Sequence, residues 1–474
     1  MKNQKVFVMG HKNPDTDSIC SAIAYADIKN RTTQTKRYIP RRAGQINEET
    51  QYVLNRFGVQ PPAYLGNIGT QVKDMDIRPK PDADRTMSLK NAWDMMQNKG
   101  IVTLPICNSE DELEGIVTIG DIADVYMDTK DSYLLSNART QYNKIRDTLD
   151  GEIVEGNGHG YFTKGKILIG TADPEVMKNY IEENDMVILG NREEDQLKAI
   201  ELNVSCIIVG MSIQVSEKVI KKAQERQIII ISSPYDTYTI ARMINQSIPV
   251  NYVMKKDNLV TFNTEDFTDD IQDVMIKHRH RAFPVINKRG KCVGTISRRN
   301  FLDMHKKQVI LVDHNEKDQA VDNIEKAEIL EIIDHHKLGS LETMKPINFR
   351  NEPVGCTATI LYRIYDEQRL EIPPKIAGLL CAAIISDTLM FRSPTCTQQD
   401  KIAASALALI ADIKIEDFAR EMFKAGSNLK DKAPEEIFYQ DYKKFIAEGN
   451  VAFGVGQISS MDEEELQEIK VRLK

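Results

Sequence analysis

Four short apolar runs along the chain each end in aspartate or histidine side chains. The first covers residues 6–9, and three others begin near residues 308, 327 and 379. The first three predict buried strands of an α/β protein, in which ligands bind at the carboxyl ends of the strands. Among the acidic and imidazole residues that follow the four runs are His11, Asp15, Asp17, Asp313, Asp334, His335, His336 and Asp387.

The first loop joins its strand to a helical pattern with small residues on one side, over residues 18–26. Ser18 or Asp17 is the predicted N-cap of that helix. One imidazole and two carboxylates in such a loop suit a divalent ion of the Mn²⁺, Fe²⁺ or Co²⁺ kind. Turn chemistry explains this loop equally well, because Asn, Pro, Asp and Ser all favour turns. Four such ends in one chain favour the metal site.

The number of these side chains suits two ions. Six ligands can hold two ions if one carboxylate is shared, and Asp313 is the predicted shared ligand because it lies between the two sets along the chain. Two divalent ions about 3.5–4 Å apart lower the pKa of a water between them and neutralise an anionic substrate. The predicted chemistry is therefore phosphoryl hydrolysis. The predicted ligands are His11, Asp15, Asp17, Asp313, His335 and Asp387.

An internal repeat lies between the first and second runs. Residues 72–123 and 253–301 share the order helix, strand with a central proline, second strand and closing helix. Both copies resemble cystathionine-β-synthase (CBS) modules, which normally pair and hold an adenine nucleotide between them. This resemblance implies AMP, ADP, ATP or diadenosine polyphosphates as regulators.

Each copy places a hydroxyl and a carboxylate or amide where a strand meets a helix, and such an end can hold ribose and phosphate. Nearby cations would pair with the phosphates. Helix caps and solvated basic residues are the alternative interpretation. The predicted nucleotide contacts are Lys99, Thr118, Asp121, Arg281, Ser297, Arg298 and Asn300.

Between the two copies, residues 129–250 contain four runs rich in Ile and Val, which predict four buried strands. This segment resembles the DRTGG module found between CBS modules in some regulated enzymes. Residues 210–212 read Gly-Met-Ser where that module has a Gly-Gly pair. The resemblance therefore predicts the fold and leaves a ligand role for this loop open.

Composition narrows the class of protein. A chain of 474 residues predicts about three domains. The net charge of −8 argues against bulk binding of nucleic acid, which needs a basic face. Seven dispersed cysteines without a C-x-x-C pair fit a reducing compartment. No apolar stretch approaches a membrane span of roughly 18 residues, so we expect a cytoplasmic protein that binds neither membrane nor nucleic acid.

The motifs at the four runs are more specific than their spacing. They read GHKNPDTDS from residue 10, VDHNE from 312, IDHH from 333, EPVGCTATIL from 352 and AIISDTLMF from 383. Together they resemble the family II, manganese-type inorganic pyrophosphatases of the DHH phosphoesterase superfamily. The order of modules resembles that of the CBS-regulated members, and the resemblance covers nearly all of the chain.

This resemblance implies an α/β fold and a set of roles. A parallel-sheet DHH domain would be interrupted by a CBS, DRTGG-like and CBS insert and followed by the start of a DHHA2-type domain. The implied limits are 1–66 and 307–430 for the DHH domain, 67–128 and 251–306 for the CBS modules, 129–250 for the DRTGG-like domain and 431–474 for the last.

The resemblance also distributes the ligands between two Mn²⁺ or Co²⁺ ions. His11, Asp15 and Asp313 would hold one ion, and Asp17, Asp313, His335 and Asp387 would hold the other. His336 and Lys443 would contact the substrate, pyrophosphate, which would arrive with Mg²⁺. Asp334 would orient the imidazoles, and the family implies a homodimer.

The C-terminal region departs from the family pattern. A later Ser-Arg-Lys-Lys tract that supplies cations to the substrate has no counterpart in residues 459–474. From the sequence we expect weak hydrolysis unless a partner supplies those cations. Two alternatives remain open: another DHH phosphoesterase acting on a dinucleotide, and a metal-bearing nucleotide sensor without activity.

Overall fold

The structure, a computed structural model, describes residues 4–127, 131–302, 304, 306–427, 434–439, 442–447, 451–456 and 469–473. The chain divides into two compact units. Unit 1 comprises residues 1–70 and 305–474, and unit 2 comprises residues 71–304. The insert of unit 2 thus interrupts unit 1, where the sequence places the limits at 66/67 and 306/307.

Unit 1 is built on a six-stranded parallel sheet in the described part of the chain. Val6–Met9 lies near the centre of the sheet. It pairs with a neighbouring strand on each side, and three of its four residues are buried. Its neighbours are Tyr38–Arg42 and, across the insert, Gln308–Val312. In spatial order the strands are Asn348–Asn351, Glu328–Asp334, Gln308–Val312, Val6–Met9, Tyr38–Arg42 and Ala63–Tyr64.

The register of these strands positions the candidate site. Met9 is paired with Leu311, and Val312 with Ile333, so the strands end side by side. His11, Asp313 and Asp334 therefore leave the sheet at one edge, although more than 300 residues separate the first from the other two. The carboxyl edge of a parallel sheet is the usual place for a ligand.

Helices cover one face of this sheet and bury its main apolar core, which includes Ile19, Leu54, Val312, Leu380 and Leu407. Short 3₁₀ turns and loops cover the other face. The helices of unit 1 in the described residues are Thr16–Thr32, Glu48–Arg56, Thr357–Glu367, Pro374–Asp387, Gln398–Ala411, Ile415–Gly426 and Pro434–Tyr439.

Two local predictions in unit 1 need correction or refinement. The first helix starts earlier than predicted, at Thr16, because the Asp15 side chain, and not Asp17 or Ser18, caps it by accepting from the Ser18 N–H. The fourth apolar run lies in the helix Pro374–Asp387, which is buried over most of its length and so shows no polar face.

The two repeat copies in unit 2 have the predicted order of elements. The first copy contains the helix Leu89–Lys99, the strands Thr103–Cys107 and Leu113–Thr118, and the helix Ile119–Met127. The second contains Thr268–Lys277, Phe283–Ile286 and Cys292–Ile296. It closes with a 3₁₀ turn, Arg298–Phe301, where the sequence predicted a helix. Short strands Arg78–Pro79 and Phe262–Asn263 flank the second copy's hairpin.

The segment between the copies forms its own sheet, and the four predicted strands are present. Ile167–Ile169, Met186–Leu189, Cys206–Val209 and Ile229–Ser232 are parallel, and Glu152–Glu155 joins them antiparallel. Met211 and Ser212 have positive φ angles of 66° and 50° in the Gly-Met-Ser loop. The helices of this segment are Leu134–Asn137, Tyr142–Thr148, Pro174–Met177, Glu193–Glu201, Glu217–Glu225 and Thr237–Met243, and a strand pair joins Thr140–Gln141 to Tyr161–Phe162.

Near the C-terminus, the strands Tyr442–Ala447 and Val451–Gly456 form an antiparallel pair. Lys443 lies in the first of them, and its side chain is outside the part of the chain that the structure describes. Among the described helices, none is both long enough and apolar enough to cross a membrane.

Candidate metal centre

The structure brings all six predicted ligands together at the carboxyl edge of the unit 1 sheet. His11, Asp15 and Asp313 form one group whose ligand atoms lie within 4.8 Å of one another. Asp17, Asp313, His335 and Asp387 form a second group by the same measure. Asp313 belongs to both groups: its Oδ2 lies 3.4 Å from His11 Nε2 and its Oδ1 lies 3.4 Å from His335 Nε2.

The hydrogen bonds of this cluster leave ligand atoms without partners. Asp313 Oδ2 and His335 Nε2 are buried and accept or donate no hydrogen bond within the described residues. His335 Nδ1 lies 3.0 Å from the carbonyl oxygen of Val354, to which an Nδ1–H donates, so Nε2 is the ring nitrogen that faces the cluster. Buried polar atoms without partners are rare, and these two fit a bound cation.

Asp17 is held from outside the cluster by the start of another helix. The N–H groups of Thr357 and Ala358 donate to its two oxygens at 2.7 and 3.1 Å, and the Ser21 hydroxyl donates at 2.6 Å. The Thr357 hydroxyl also donates to Asp313 Oδ1 at 3.1 Å. The first turn of the helix Thr357–Glu367 therefore orients two ligands at once. Thr357 stands in the motif EPVGCTATIL, which carries the family resemblance, but it was not among the predicted site residues.

Asp313 has a left-handed backbone, with φ of 63°. This conformation is uncommon outside glycine, and aspartate and asparagine tolerate it best. It follows the strand Gln308–Val312 directly and turns the side chain across the sheet edge, where it meets both imidazoles. A non-glycine residue held in this region is typical of functional sites.

The crowding of carboxylates and imidazoles in this cluster shifts the pKa values of the predicted ligands. Burial opposes a charged imidazole, but the Asp15 and Asp313 carboxylates outweigh it and raise the pKa of His11 to about 10. By the same balance, Asp313 and Asp17 raise the pKa of His335 to about 9. Burial, together with the Asp313 carboxylate, raises the pKa of Asp17 to about 7. Burial and three neighbouring carboxylates also raise the pKa of Asp387 well above its usual range.

Metal binding is therefore expected to release protons. A divalent ion binds neutral imidazole and ionised carboxylate, so it must displace the protons that His11, His335 and Asp17 carry near neutral pH. Raising the pH lowers the concentration of the protons that compete with the ion, so the Mn²⁺ affinity should increase between pH 6 and pH 8. Calorimetric titration with Mn²⁺ in buffers of different ionisation enthalpy measures the released protons. Identical heats in all buffers would contradict this prediction.

A cavity of about 290 Å³ adjoins the cluster and is lined by His11, Lys12, Asn13, Asp318, Gln319 and His336. His336 is half exposed, and Asp334 Oδ1 holds its Nδ1 at 2.9 Å. That hydrogen bond raises the pKa of His336. The predicted orienting role of Asp334 thus has a contact that fits it. Lys12 and Asn13 also line the cavity; they stand inside the first motif and were not among the predicted site residues.

The predicted nucleotide contacts lie in unit 2. Thr118 and Asp121 form a closed turn, in which the Thr118 N–H and hydroxyl donate to Asp121 Oδ2 at 2.7 and 2.6 Å. Ser297 and Asn300 form the same turn in the second copy, at 2.7 and 2.9 Å. The matching geometry supports the internal repeat at the level of single side chains.

The basic residues predicted to contact phosphate differ in their surroundings. Lys99 and Arg281 are exposed. The Arg298 guanidinium donates to the backbone carbonyls of Met275, His278 and His280, so it is engaged at the end of the preceding helix. Contact between Arg298 and a phosphate would require these bonds to be exchanged.

Comparison with known proteins identifies the family. The sequence matches the DHH family, N-terminal domain, over residues 5–384 and the DHHA2 domain over residues 420–474. It is 43% identical over 465 residues to a cobalt-dependent inorganic pyrophosphatase of Clostridium perfringens, covering 98% of this chain and 84% of the relative. A probable manganese-dependent inorganic pyrophosphatase of Thermotoga maritima is 35% identical over 460 residues, with coverage of 97% and 83%.

A solved structure is similar to part of the chain. It contains the CBS and DRTGG domains of the regulatory region of Clostridium perfringens pyrophosphatase, complexed with its activator, diadenosine tetraphosphate. The match covers 48% of the present chain and 100% of the solved chain, with 34% sequence identity and a TM-score of 0.46. With 43% identity over nearly its whole length to a curated pyrophosphatase, the chain belongs to the family II, manganese- or cobalt-dependent inorganic pyrophosphatases of the DHH family and is an inorganic diphosphatase.

Proposed function

We propose that unit 1 hydrolyses pyrophosphate to two phosphates with two divalent ions, Mn²⁺ or Co²⁺, that share Asp313. The observation that carries this proposal is the pair of ligand groups joined through Asp313, with Asp313 Oδ2 and His335 Nε2 buried and unpartnered. Two ions bound there would neutralise phosphate charge and lower the pKa of a water lying between them.

The chain's own residues have separate tasks in this proposal. His11 and Asp15 hold one ion, and Asp17, His335 and Asp387 hold the other. His336 faces the adjoining cavity, and because Asp334 favours its protonated form, its Nε2–H donates to a substrate phosphate. Lys443 is proposed as a second phosphate contact, and Mg²⁺ is proposed to enter with pyrophosphate.

The test is phosphate release from Mg²⁺-pyrophosphate by the full chain. Protein loaded with Mn²⁺ or Co²⁺ should release phosphate, and protein stripped by a chelator and transferred to Mg²⁺ alone should lose most of that activity. Activity should return when Mn²⁺ or Co²⁺ is added back. Equal rates with and without the transition metal would contradict the two-ion proposal.

We also propose that the paired CBS modules of unit 2 bind adenine nucleotides and change the rate of hydrolysis. The two matching turns support this proposal, because each places hydroxyl and backbone groups at the end of a strand. AMP, ADP, ATP and diadenosine polyphosphates are the candidate ligands. A homodimer and a cytoplasmic location remain predictions.

Replacing Asp121 by alanine is expected to weaken nucleotide binding. The substitution removes the acceptor of two hydrogen bonds and an ion pair with Lys255 at 3.1 Å, so the turn opens. In this proposal the Asp121 carboxylate also accepts a hydrogen bond from the ribose, and because a hydrogen bond to a charged group contributes about 1.5–3 kcal/mol, affinity for AMP should fall about tenfold or more. Calorimetric titration with AMP measures it, and Asp124→Ala, exposed on the same helix, is the control. Equal affinities of the two variants would exclude Asp121 from the site.

A further inference from the structure

A carboxylate outside the two ligand groups is more deeply buried than most of their members. Asp400 is 0% exposed. The Gly355 N–H donates to its Oδ2 at 2.9 Å, and the Thr359 hydroxyl donates to its Oδ1 at 2.6 Å. The N–H and hydroxyl of Thr397 also donate to Oδ2, at 2.7 and 2.6 Å. Asp400 therefore joins the start of its own helix, Gln398–Ala411, to the segment around Gly355.

That segment is the one that orients the predicted metal ligands. The Val354 carbonyl fixes the His335 ring at 3.0 Å, and the Thr357 and Ala358 N–H groups hold Asp17. Asp400 binds Gly355, whose N–H belongs to the same peptide unit as the Val354 carbonyl, and Thr359, which directly follows Ala358. Asp400 thus holds residues that are adjacent to the groups contacting Asp17, Asp313 and His335.

The fit around Gly355 leaves little freedom. A Cβ atom at this position would lie 2.9 Å from Asp400 Oδ2 and 2.9 Å from Thr388 Cγ2. Thr388 directly follows Asp387, the remaining ligand of the second group. Gly355 is therefore held between Asp400 and the end of the helix that carries Asp387. A shift of Asp400 would therefore reach the groups that contact Asp17, Asp313 and His335.

We propose that Asp400 is a positioning residue for the ion held by Asp17, Asp313, His335 and Asp387. The proposal rests on the proposed function, because it requires an ion in that group. Asp400 acts on the metal ligands through its hydrogen bonds with Gly355 and Thr359. Its hydrogen bonds with Thr397 stabilise the start of its own helix. Groups that hydrogen-bond a metal ligand directly typically contribute a factor of about 10–100 to metal affinity, and Asp400 holds such groups, so we expect an effect near the lower end of that range.

A matched pair of variants separates the two sets of hydrogen bonds that Asp400 makes, those with Gly355 and Thr359 and those with Thr397. Thr359→Val removes the hydroxyl that binds Asp400 from the ligand side and keeps the shape of the side chain. Thr397→Ala removes the hydroxyl that binds Asp400 from the helix side and leaves the Gly355 and Thr359 bonds in place. Both variants retain Asp400, and Asp400→Asn is made beside them. Thr359→Ser restores the hydroxyl and tests for rescue.

The measurement is calorimetric titration of the full chain with Mn²⁺ alone, with the thermal midpoint of each variant recorded in parallel. Thr359→Val should weaken one of the two Mn²⁺ sites about tenfold or more. Thr397→Ala and Thr359→Ser should keep both wild-type affinities, although Thr397→Ala lowers the thermal midpoint. Asp400→Asn, if it folds, should resemble Thr359→Val or exceed it.

The outcomes distinguish this inference from the function on which it rests. If the unaltered chain binds no Mn²⁺, the two-ion proposal itself fails. If the unaltered chain binds two ions and Thr359→Val binds them as tightly, Asp400 is structural only and the inference is wrong. Equal losses of Mn²⁺ affinity in Thr359→Val and Thr397→Ala would also overturn the inference. The loss would then reflect lower stability of the fold and not the hydrogen bond between Thr359 and Asp400.

Discussion

Asp313→Asn is expected to abolish phosphate release from Mg²⁺-pyrophosphate and to weaken binding of both Mn²⁺ ions. Both carboxylate oxygens face the cluster, one towards His11 and the other towards His335. An amide has the same shape but no charge and only one oxygen, so neither ligand group keeps its full set. The ions supply several kcal/mol of charge stabilisation, and each 1.36 kcal/mol is tenfold in rate, so the loss should be about 10³-fold or more.

Asparagine is the substitution that isolates the carboxylate. Asp313 has φ of 63°, and asparagine accepts this backbone whereas alanine would strain it. Asp412→Asn is the matched control, because Asp412 also has a left-handed backbone, with φ of 53°, and is exposed at the end of a helix. The control should keep wild-type rates and metal binding. Full activity of Asp313→Asn would show that the two ligand groups do not share this residue.

The ligand set could be predicted from the sequence because a general property of parallel sheets brings most of its members together. Parallel strands end at one edge of a sheet, so the acids after residues 9, 312 and 333 had to meet once the strands were assigned. Family motifs then distributed the six ligands between two ions. The structure brings the same two groups together around Asp313.

The supports of the ligands could not be predicted in the same way. Asp400 lies 45 residues from Gly355, in a helix whose sequence signals only a capping box with Thr397. Nothing in the local pattern shows that both carboxylate oxygens of Asp400 also bind another segment, at Gly355 and Thr359. The engagement of Arg298 with three carbonyls is likewise a tertiary contact, and the sequence offered only a basic residue near a strand end.

Gly10→Ala, at the junction between the first strand and the first helix, is expected to lower both stability and activity. Gly10 is buried, and a Cβ atom there would lie 1.8 Å from Ser18 Oγ and 2.8 Å from both Ser18 Cβ and the Ser18 carbonyl oxygen. Gly10→Ala must therefore push the helix Thr16–Thr32 away from the strand Val6–Met9. Overpacking of this kind costs about 1–3 kcal/mol, so the thermal midpoint should fall by several degrees.

The effect on activity should exceed the effect on stability, because the displaced elements carry ligands. His11 follows Gly10 directly, whereas Asp15 and Asp17 lie at the start of the helix that is pushed away. Relative movement of these elements changes both ion sites, and we expect phosphate release to fall more than about tenfold even in the folded fraction. Gly190→Ala is the control, since its Cβ would meet nothing within 4 Å. A Gly10→Ala variant with a lowered thermal midpoint and normal activity per folded molecule would mean that the junction stabilises the fold without fixing the distance between His11 and Asp17.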